Sequence, residues 1–592
     1  MVTYTDRPWT KKYDRGVPPS LEPYPNVTVH SFLQEAAQKT PNNSALVTSA
    51  HLPLFGRVSS SVSYQELDQY SDALAAGLVD MGLKKGDRVA LVMPNIAAFI
   101  ISYYGVLKAG GVVAATNPTY PADKMQFQIN DCDAPIAITM SLFYNTVKEI
   151  QPKTKVKKVI VANVKEYLPA AAKLLFTLAK EKKEGHRIET LQSGDLWFQD
   201  VLTKYAGKKA NISITPDKDL ALFQYTGGTT GISKAVMATH KALVANTLQI
   251  KAWLEADGTH EPHNIILGAL PLFHVFGMVG VLNNAVGLGA KIILVPNARD
   301  IKDVLDSINH FKPSLFPGVP ALYNAINNHP DVKAGKVDLR SIRTCVSGSA
   351  PLPPSTKSEF EQITGGNLRE AYGMSETPTA THCNPIYGEN RTGSIGLPIS
   401  DMDVRIVSLD DGVTEVPIGE IGEIIMAGPQ IMVGYHGMPT ETSNVLREKD
   451  GKKFIYSGDI GRMDDDGYFY IVDRKKDMAL IGGFNVYPNN IEKVLSQHPA
   501  VMEVGVAAIP HPDADKGGQE ALKAWVVLRP DQTATEKELI DHCMKQLARY
   551  EVPTRISFIK ELPKTTVGKT LRRELVQREM ADREKNPPIM SS

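Results

Sequence analysis

A glycine- and threonine-rich segment gives the sequence its strongest candidate for phosphate binding. Residues 225–234 read Tyr-Thr-Gly-Gly-Thr-Thr-Gly-Ile-Ser-Lys, and residues 220–225 are predicted to form a strand that leads into them. Glycines allow a ligand to approach the backbone closely, threonines supply hydroxyl donors, and successive amides can surround phosphate oxygens. The segment is not a Walker A loop, because Lys234 follows Gly231 by three residues and a strand-like run comes next. A flexible glycine and threonine hairpin is the alternative interpretation.

Two further polar side chains stand in settings that could carry chemistry. His274 lies between Phe273 and Phe276, where it either contacts a ligand or is an ordinary core histidine with satisfied hydrogen bonds. Lys569 lies in a Gly-Lys-Thr triplet, but Pro563 stands where a Walker loop needs glycine. By its setting alone, Lys569 is one more lysine on a charged surface.

These residues belong to a series of motifs spread along the chain. After the loop come LPLFHVFG at 270–277, SGSAPL at 347–352, EAYGMSET at 370–377, YSGD at 456–459, DR at 473–474 and PKTTVGK at 563–569. In this order the series resembles the adenylate-forming superfamily, which includes acyl-CoA synthetases, luciferases and nonribosomal adenylation enzymes. The resemblance covers nearly the whole chain. It implies that a carboxylate is activated with ATP as acyl-AMP, with release of pyrophosphate, and that the acyl group then passes to a thiol.

The resemblance also implies roles for individual residues. Glu376 and Thr229 are expected to hold Mg²⁺, an ion that prefers oxygen ligands, and with Lys569 they form the expected catalytic set. Lys569 should bridge the substrate carboxylate and the α-phosphate, Tyr372 should stack on adenine, and Asp459 should accept hydrogen bonds from the ribose. Outside this motif series, Glu376 would be a surface carboxylate and Tyr372 a core residue. The residues expected to bind ATP or AMP are Thr226, Gly227, Gly228, Thr229, Thr230, Gly231, Lys234, Gly348, Ser349, Ala350, Glu370, Ala371, Tyr372, Gly373, Met374, Ser375, Asp459, Arg474 and Lys569.

The acid substrate and CoA are assigned by the same resemblance. The residues expected to line the carboxylate and acyl pocket are His274, Phe276, Gly318 and Val319. The residues expected at the hinge of a rotating lid and at its thiol tunnel are Lys476, Gly482, Gly483 and Phe484. The chain departs from some members of the superfamily, which carry lysines at the positions of Leu480 and Gly482. It also has Ala235 in place of the usual glycine after the loop lysine.

The loop, together with KKDM at 475–478 and FNVYP at 484–488, most resembles bacterial or archaeal long-chain fatty acid–CoA ligases. We therefore expect an AMP-forming ligase whose partners are a fatty acid, ATP and CoA. A ligase of an aromatic or medium-chain acid is the alternative enzyme. The alternative of another class is a catalytically silent acyl- or nucleotide-binding protein, and the residues that argue against it are Thr229, Glu376, Asp459, Arg474 and Lys569.

The elements that must position these residues can be read coarsely from the sequence. Strand-like and helix-like runs alternate over most of the chain, which indicates α/β layers with parallel sheet. Short strands separated by glycine and aspartate beyond residue 400 indicate a small β subdomain, and the charged run 473–477 is a candidate linker. The expected fold is α/β. It has an adenylation domain at 1–473, with two α/β subdomains and a small β-barrel, and a mobile α+β lid at 474–592, whose residues 586–592 should fray.

Composition and charge exclude several other classes of protein. The 592 residues include 65 Lys plus Arg and 65 Asp plus Glu, and this zero net charge argues against a nucleic-acid binder. Four widely spaced cysteines argue against a disulfide scaffold or zinc site. They suit a reducing compartment, and the first residues lack the apolar core of a signal peptide, so a cytoplasmic location is expected. The apolar run 265–282 is broken by proline and glycine, which favours a buried strand, turn and helix over a membrane span. Monomer and homodimer both remain open.

One basic segment departs from the neutral average. Residues 151–190 contain ten Lys or Arg and four Asp or Glu. Within them, residues 165–183 place Leu168, Leu175 and Leu178 on one predicted helical face with Ala171 and Ala172. A basic amphipathic helix can lie at a membrane surface, so weak peripheral contact with the inner face of a membrane is one hypothesis. The alternative is a solvated helix that packs on its own domain.

Overall fold

The structure is a computed structural model that describes residues 3–52, 56–226, 233–256, 264–511, 519–565 and 569–585. Nine of the described strands form the first sheet, whose central strands are parallel. Those central strands are almost wholly apolar and buried, as a parallel sheet covered on both faces requires. In spatial order the strands are Leu397–Pro398, His382–Cys383, Asn367–Tyr372, Thr344–Ser347, Leu315–Gly318, Ile265–Gly268, Lys291–Leu294, Ser44–Leu52 and Gly56–Ser63.

A second sheet contains eight strands from the described part of the chain. In spatial order they are Gly434–Tyr435, Ala235–Thr239, Leu220–Tyr225, Val112–Ala115, Arg88–Val92, Ile136–Met140, Lys158–Ala162 and Leu196–Trp197. Most of the strands are parallel, but Leu220–Tyr225 and Ala235–Thr239 form an antiparallel pair. This pair brackets the glycine and threonine loop and brings its two ends together. The α/β class expected from the sequence is therefore confirmed.

Helices cover the sheets and connect their strands. In the adenylation region they are Ser31–Lys39, Tyr64–Asp80, Ala97–Lys108, Ala122–Asp131, Tyr144–Ile150, Ala170–Leu175, Phe198–Lys204, His240–Leu254, Val275–Gly277, Asn284–Leu288, Ile301–Phe311, Pro320–Asn327, Pro330–Lys333, Pro354–Thr364 and Pro439–Val445. The lid helices are Pro488–Leu495, Glu536–Met544 and Arg572–Lys585. Side-chain caps fix where two of these helices begin. The Ser63 hydroxyl accepts a hydrogen bond from the amide of Glu66, and the Thr239 hydroxyl accepts one from the amide of Ala242.

The apolar run 265–282 has the buried strand, turn and helix that the sequence favours. Strand Ile265–Gly268 is followed by a turn and by a continuous helical stretch, in which the π-helical residues Met278–Asn283 separate two short α-helices. Gly277 is required there, because a Cβ atom at this position would lie 2.2 Å from the carbonyl oxygen of Pro271. Across the described ranges, no helix combines the length and apolar character needed to cross a membrane.

The small β subdomain differs in one respect from the expected barrel. Its strands are Asp403–Val407, Gly422–Ala427, Leu446–Lys449, Lys452–Met463 and Phe469–Arg474. Among pairings of described residues, none joins the outer strands to each other, so the subdomain is an open antiparallel sheet, which we call the third sheet. The N-terminal segment around the buried Tyr4 packs beside edge strand Asp403–Val407 and covers it. The edge therefore needs no strand partner.

The charged run 473–477, the candidate linker, begins inside a strand. Strand Phe469–Arg474 continues into it, with Arg474 paired to Asp459, and the side chain of Asp473 is completely buried. Only the residues after Arg474 form a turn between the strand and the lid. Beyond the turn lie the hairpin Ala479–Ile481 with Phe484–Val486, and the sheet Val501–Pro510, Glu520–Leu528 and Arg555–Phe558.

An N-terminal arm, residues 3–13, ties several subdomains together. Trp9 is buried and contacts the edge of Phe469, and the backbone of Gly467 lies so close to Trp9 that a Cβ atom would not fit. Tyr13 packs edge-on against Trp253, with ring centroids 4.9 Å apart, and its hydroxyl donates to the carbonyl of Pro398 at 2.6 Å. The arm thus reaches from the third sheet to the helix His240–Leu254.

Candidate active site

A cavity of about 850 Å³ lies where the two large sheets, the third sheet and the lid meet. Its ionic end carries the charged side chains Lys234, Glu376, Glu441, Arg474, Lys476 and Lys569. Its apolar end is lined by Ile250, Trp253, Leu254, Cys383, Ile386 and Ile399. The carboxyl ends of neighbouring parallel strands open toward such crevices in α/β folds, which explains why motifs far apart in sequence meet here. The cavity can hold an anion and a hydrocarbon at the same time.

The ends of the phosphate-loop candidate are tied together at the cavity. The amide of Thr226 donates to the carbonyl of Lys234 at 2.9 Å, and the Ser233 hydroxyl donates to the carbonyl of Thr226 at 2.7 Å. Lys234 Nζ forms a 2.6 Å ion pair with Glu441 and lies 5.0 Å from the ring centroid of Tyr435. The predicted residues Gly227, Gly228, Thr229, Thr230 and Gly231 lie outside the described residues.

Glu376 is held from two directions. Its carboxylate accepts a 2.7 Å hydrogen bond from the hydroxyl of Tyr435, and its carbonyl accepts a 2.9 Å bond from the amide of Met432. Tyr435 is itself positioned by Thr442, whose hydroxyl accepts from the Tyr435 amide at 2.9 Å. Burial and the nearby Glu376 raise the pKa of Tyr435 far above its usual value, so the phenol keeps the proton that it donates.

Tyr372, Asp459 and Arg474 form one hydrogen-bonded group beside the cavity. The Tyr372 hydroxyl donates to one oxygen of the Asp459 carboxylate, and Arg474 Nε lies 3.0 Å from the other oxygen. Burial, followed by the charge of Asp459, raises the pKa of Tyr372 well above its usual value. The Tyr372 phenol therefore keeps its proton, and Tyr372 and Arg474 together orient the Asp459 side chain.

The motifs at 347–352 and 370–377 form one wall of the cavity. Gly373 has no alternative, because a Cβ atom there would lie 1.5 Å from the carbonyl oxygen of Thr379. Ser349 lines the wall in the left-handed region, with φ at 72°, a strained conformation that often marks functional loops. Other predicted residues on this wall are Gly348, Ala371, Tyr372, Met374 and Ser375.

Two predicted nucleotide residues are not placed on that wall. Ala350 does not line the cavity, and the Glu370 carboxylate turns away to accept a hydrogen bond from the amide of Gly393 at 2.9 Å. Burial raises the pKa of Glu370 to about 7. The structure gives Glu370 a role in holding the neighbouring loop, which its place in the motif did not reveal.

His274 and Phe276 lie together in the middle of the cavity lining. The His274 Nδ1 atom accepts a hydrogen bond from the amide of Phe276 at 3.3 Å, so Nε2 carries the proton in the neutral ring. Burial lowers the pKa of His274 to about 4, so the ring is neutral at pH 7. Phe276 packs against Gly280 and Gly348, where an added Cβ atom would lie 2.9 and 3.1 Å from its ring. His274 is thus a neutral donor beside an aromatic wall.

The other two predicted substrate residues lie just behind the cavity. A Cβ atom at Gly318 would lie 2.8 Å from the ring of Tyr323, and Val319 precedes the helix Pro320–Asn327. Neither lines the cavity, whereas Leu315 and Pro317 of the same segment do. Strand alternation explains this for Gly318, because residues 315 and 317 share the other face of the sheet, whereas Val319 lies beyond the end of the strand.

Lys569 reaches the cavity from the lid. Its amide donates to the Thr565 hydroxyl at 3.1 Å, and the amide of Thr565 donates to the Lys569 carbonyl at 2.8 Å. Burial and the charge of Arg474 lower the pKa of Lys569 to about 7. An anion that enters the cavity would therefore favour the protonated, charged form of Lys569.

The predicted hinge and CoA residues divide between two faces of the lid. Lys476 lines the cavity, but Gly482 and Gly483 form the tip of the hairpin 479–486, with φ of 60° and 87°. Phe484 is exposed on that hairpin and stacks on Tyr550, with ring centroids 4.5 Å apart. Lys569 and Gly483 therefore do not meet at the cavity in this conformation.

The residues at the ionic end fit Mg²⁺ bound through a nucleotide. No cluster of three or more His, Cys, Asp or Glu side chains that could hold a metal occurs in the described ranges. Glu376 instead offers a single carboxylate beside the end of the cavity that carries Lys234 and Lys569. Magnesium is commonly held in this way, by one or two carboxylates together with substrate phosphates and water.

Several side chains at the cavity have no signal in the sequence. Tyr435 ends a short edge strand of the second sheet and Glu441 lies in the helix Pro439–Val445, a segment that looks like an ordinary turn and helix in the sequence. Asn95 holds the turn before His274, because its amide group donates to the carbonyls of Gly268 and Leu270 and accepts from the amide of Leu272. Only the packing of distant segments brings these residues to the site.

Comparisons with known proteins agree with this geometry. The family described as "AMP-binding enzyme" matches residues 33–436, and "AMP-binding enzyme C-terminal domain" matches residues 490–569. The chain is 39% identical over 577 residues to a long-chain-fatty-acid–CoA ligase of Bacillus subtilis, covering 97% of this chain and 98% of that one. It is 35% identical over 579 residues to the ligase of the same name from Yersinia pestis, with 97% and 98% covered.

A solved structure gives the same result for the fold. ATP-bound MatB from Rhodopseudomonas palustris superposes with a TM-score of 0.78 at 27% identity, covering 93% of this chain and 99% of that one. The match extends over both the large N-terminal region and the smaller C-terminal region. The chain therefore belongs to the AMP-binding enzyme family, as its motifs predicted.

Proposed function

We propose that the protein is a long-chain fatty acid–CoA ligase that forms acyl-AMP from a fatty acid and ATP and then passes the acyl group to CoA. The observation that carries the proposal is that one cavity has both an ionic end and an apolar end. A fatty acid has the same two parts. Its carboxylate and the ATP phosphates need cations, and its tail gains about 0.8 kcal/mol for each buried methylene.

At the ionic end, Tyr372, Asp459 and Arg474 would bind the nucleoside. The Asp459 carboxylate is fixed by Tyr372 and Arg474 and can accept hydrogen bonds from the ribose hydroxyls. Adenine would lie between Tyr372 and the wall at Gly348 and Ser349. Lys234 and the loop that it follows would bind the phosphates, for which Lys234 must exchange its ion pair with Glu441.

The first reaction joins the acid to the α-phosphate. A carboxylate oxygen attacks phosphorus, the bond to the β-phosphate oxygen breaks, and pyrophosphate leaves. Lys569 would lie between the two anionic groups and offset their repulsion, while the neutral His274 donates from Nε2 to the carboxylate. Glu376, with Thr229, would hold Mg²⁺, which when bound neutralises charge on the triphosphate.

The second reaction requires a different face of the lid. The thiolate of CoA attacks the acyl carbon, the bond to the phosphate oxygen breaks, and AMP leaves. Lys569 occupies the cavity in the present conformation, whereas Gly482, Gly483 and Phe484 are exposed on the hairpin. Rotation of the lid about Lys476 would withdraw Lys569 from the cavity. It would bring the hairpin residues to the acyl-AMP instead. Exposure of Phe484 and Tyr550 supports this, because the rotation would cover them.

A screen of acids tests the proposed function. Pyrophosphate release is measured with ATP and CoA for saturated fatty acids of increasing length, and for benzoate and coumarate. We expect turnover that depends on CoA and rises with acyl length to a plateau. Turnover of coumarate or benzoate with none of the saturated acids would establish the alternative aromatic ligase. Binding of ATP and acid without pyrophosphate release would establish the silent binding protein.

We also propose weak contact of the basic segment with anionic membranes. The helix Ala170–Leu175 continues as a π-helix to Lys180, and it is shorter than the span expected from the sequence. Ala172 is buried, whereas Leu174 and Leu178 are 60% and 76% exposed, so the outward face includes Leu174 in place of Ala172. The exposed lysines nearby are Lys173, Lys180, Lys182 and Lys183. Apolar side chains flanked by cations suit the boundary of an anionic bilayer, where fatty acids also partition.

Vesicle co-sedimentation tests this contact. The protein should bind vesicles of phosphatidylglycerol and phosphatidylcholine more strongly than vesicles of phosphatidylcholine alone. Replacing both Leu174 and Leu178 by serine should remove most of the binding. Val413→Ser is the control, because Val413 is also 60% exposed but lies in the third sheet's loops. Equal binding by the double variant and the control would contradict the membrane contact.

A further inference from the structure

The apolar end of the cavity is built from two opposed groups of side chains. Ile250, Trp253 and Leu254 come from one helix at spacings of three and four residues, so they share one face. Cys383, Ile386 and Ile399 form the other group, on and beside the edge strands His382–Cys383 and Leu397–Pro398 of the first sheet. None of the six is charged, and this end is therefore suited to the methyl terminus of an acyl chain.

Trp253 is the largest of these side chains and is fixed in place. Its indole Nε1 donates to the carbonyl of Asn384 at 3.2 Å, and the residue is 2% exposed. On its other side the ring of Tyr13 packs edge-on at 4.9 Å, and the Tyr13 hydroxyl is anchored on Pro398 at 2.6 Å. Tyr13 does not line the cavity. The indole therefore forms a wall of the cavity, and the space behind this wall is filled by Tyr13.

We propose that Trp253 sets the upper limit of acyl-chain length and that Tyr13 is the positioning residue that keeps it there. The proposal deepens the fatty acid–CoA ligase function proposed above and rests on it. An indole that is hydrogen-bonded on one side and braced on the other cannot turn aside for a longer chain. Tyr13 belongs to the N-terminal arm, which precedes the region matched by the family, residues 33–436.

The test is the chain-length profile of the full-length enzyme. The kcat/KM for saturated acids from octanoate to docosanoate is measured for the wild type, Trp253→Phe and Trp253→Ala. With Ala, we expect the optimum to move to acids longer by about two methylenes or more, because each methylene that finds room adds about fourfold in kcat/KM. Octanoate should keep its wild-type activity, since a chain this short ends before it reaches the indole. Phe should give an intermediate profile.

A binding assay separates this inference from the proposed function. Displacement of a fluorescent fatty acid is measured for the same series without ATP and CoA, so it reports the pocket alone. If Trp253→Ala binds longer acids best, the role of Trp253 is supported, even when neither the wild type nor the variant turns the acids over. Absence of turnover in the wild type would then count against the ligase function and not against the role of Trp253. An unchanged optimum in both binding and turnover overturns the role of Trp253.

Control variants guard against general damage to the fold. Trp9→Phe changes a second buried tryptophan, which belongs to the N-terminal arm itself and does not line the cavity, and it should leave the optimum unchanged. Tyr13→Ala should lengthen the optimum, whereas Tyr13→Phe, which keeps the ring, should shift it much less. If Trp253→Ala does not fold, Trp253→Leu together with Tyr13→Ala makes the same test, and wild-type profiles for both would overturn the proposal.

Discussion

The hydroxyl of Tyr435 donates a hydrogen bond of 2.7 Å to the carboxylate of Glu376, which joins the edge of the second sheet to the motif after the first sheet. The same tyrosine ring lies 5.0 Å from the ammonium of Lys234. One side chain thus contacts both the expected metal ligand and the expected phosphate-binding lysine. This arrangement gives Tyr435 a positioning role that its sequence context does not suggest.

Tyr435→Phe should therefore weaken adenylation through Glu376. The change keeps the ring beside Lys234 but removes a hydrogen bond to a charged group. Such a bond is worth about 1.5 kcal/mol or more, so we expect the rate of adenylation to fall about tenfold. The loss should shrink as Mg²⁺ is raised, because a poorly oriented carboxylate binds the ion less tightly. Pyrophosphate exchange across a Mg²⁺ titration measures both effects, and calorimetry of Mg·ATP binding gives a readout independent of turnover. Tyr470→Phe, which removes a tyrosine bond to Asp464 at 3.0 Å, is the matched control and should have no such dependence.

Lys569 should make adenylation depend on pH. Its pKa is lowered to about 7 by burial and Arg474, so in the empty enzyme the ammonium is present below pH 7 and is lost as the pH rises. The kcat/KM for ATP should fall above about pH 7. The kcat should hold to higher pH, because bound phosphates favour the charged amine. Lys569→Arg should remove the fall, since a guanidinium stays protonated. A pH profile of Lys569→Arg that matches the wild type would assign the titration to another group.

The two faces of the lid should separate the two half-reactions. Lys569→Ala should lower acyl-AMP formation by about a hundredfold, through loss of charge stabilisation, and largely spare CoA attack on supplied acyl-AMP. Gly483→Leu should do the reverse by obstructing the thiol tunnel. Lys476→Pro should restrict the hinge and impair the second step more than the first. Pyrophosphate exchange and single-turnover thioester formation measure the steps.

A second glycine provides the control for Gly483. Gly451 also has a positive φ, 72°, with open space around it, but it lies in a hairpin of the third sheet. Gly451→Leu carries the same backbone strain without touching the lid, so it should leave both steps unchanged. Equal losses of both steps in Lys569→Ala and Gly483→Leu would contradict a lid with two working orientations.

Arg572 should hold the linker against the lid. Its guanidinium lies 3.3 Å from Asp473, 3.1 Å from Asp477 and 2.8 Å from Glu492. Arg572→Leu leaves these partly buried acids unpaired and should destabilise the lid by about 3 kcal/mol at neutral pH. Denaturant unfolding followed by the fluorescence of Trp525 measures this. Arg578→Leu removes an exposed ion pair on the same helix and should cost well under 1 kcal/mol.

The cost of Arg572→Leu should also depend on pH. Burial raises the pKa of Asp473 and of Glu492, and Arg572 is the group that lowers both. Without it, the folded protein binds more protons than the unfolded chain at mildly acidic pH. The free energy of unfolding of the variant should therefore rise as the pH falls from about 7 to 5, and its deficit should shrink. A deficit that is constant over this range would show that the acids do not drive the instability.

The sequence by itself determined the class of the fold, the family and most of the motif residues. Alternating apolar runs are enough to predict parallel α/β layers, and the order of the motifs from residue 225 to residue 569 is enough to predict the chemistry. Gly373 shows why such motifs can be recognised in a sequence. The backbone of Thr379 lies so close to it that only glycine fits at this position. The domain boundary at 473 and the roles of the individual site residues stay predictions.

Only the tertiary structure decided which side chains face the cavity and what supports them. Glu370 belongs to a motif but turns to Gly393, whereas Tyr435, Glu441 and Trp253 belong to none and lie at the site. Asp473 stands in the charged run 473–477, yet it is buried against Arg572, 99 residues away. The physical reason is that burial and pairing depend on contacts between segments remote in sequence. The local sequence shows the spacing of apolar residues and the residue types. It contains no information on which distant residue packs beside a given side chain.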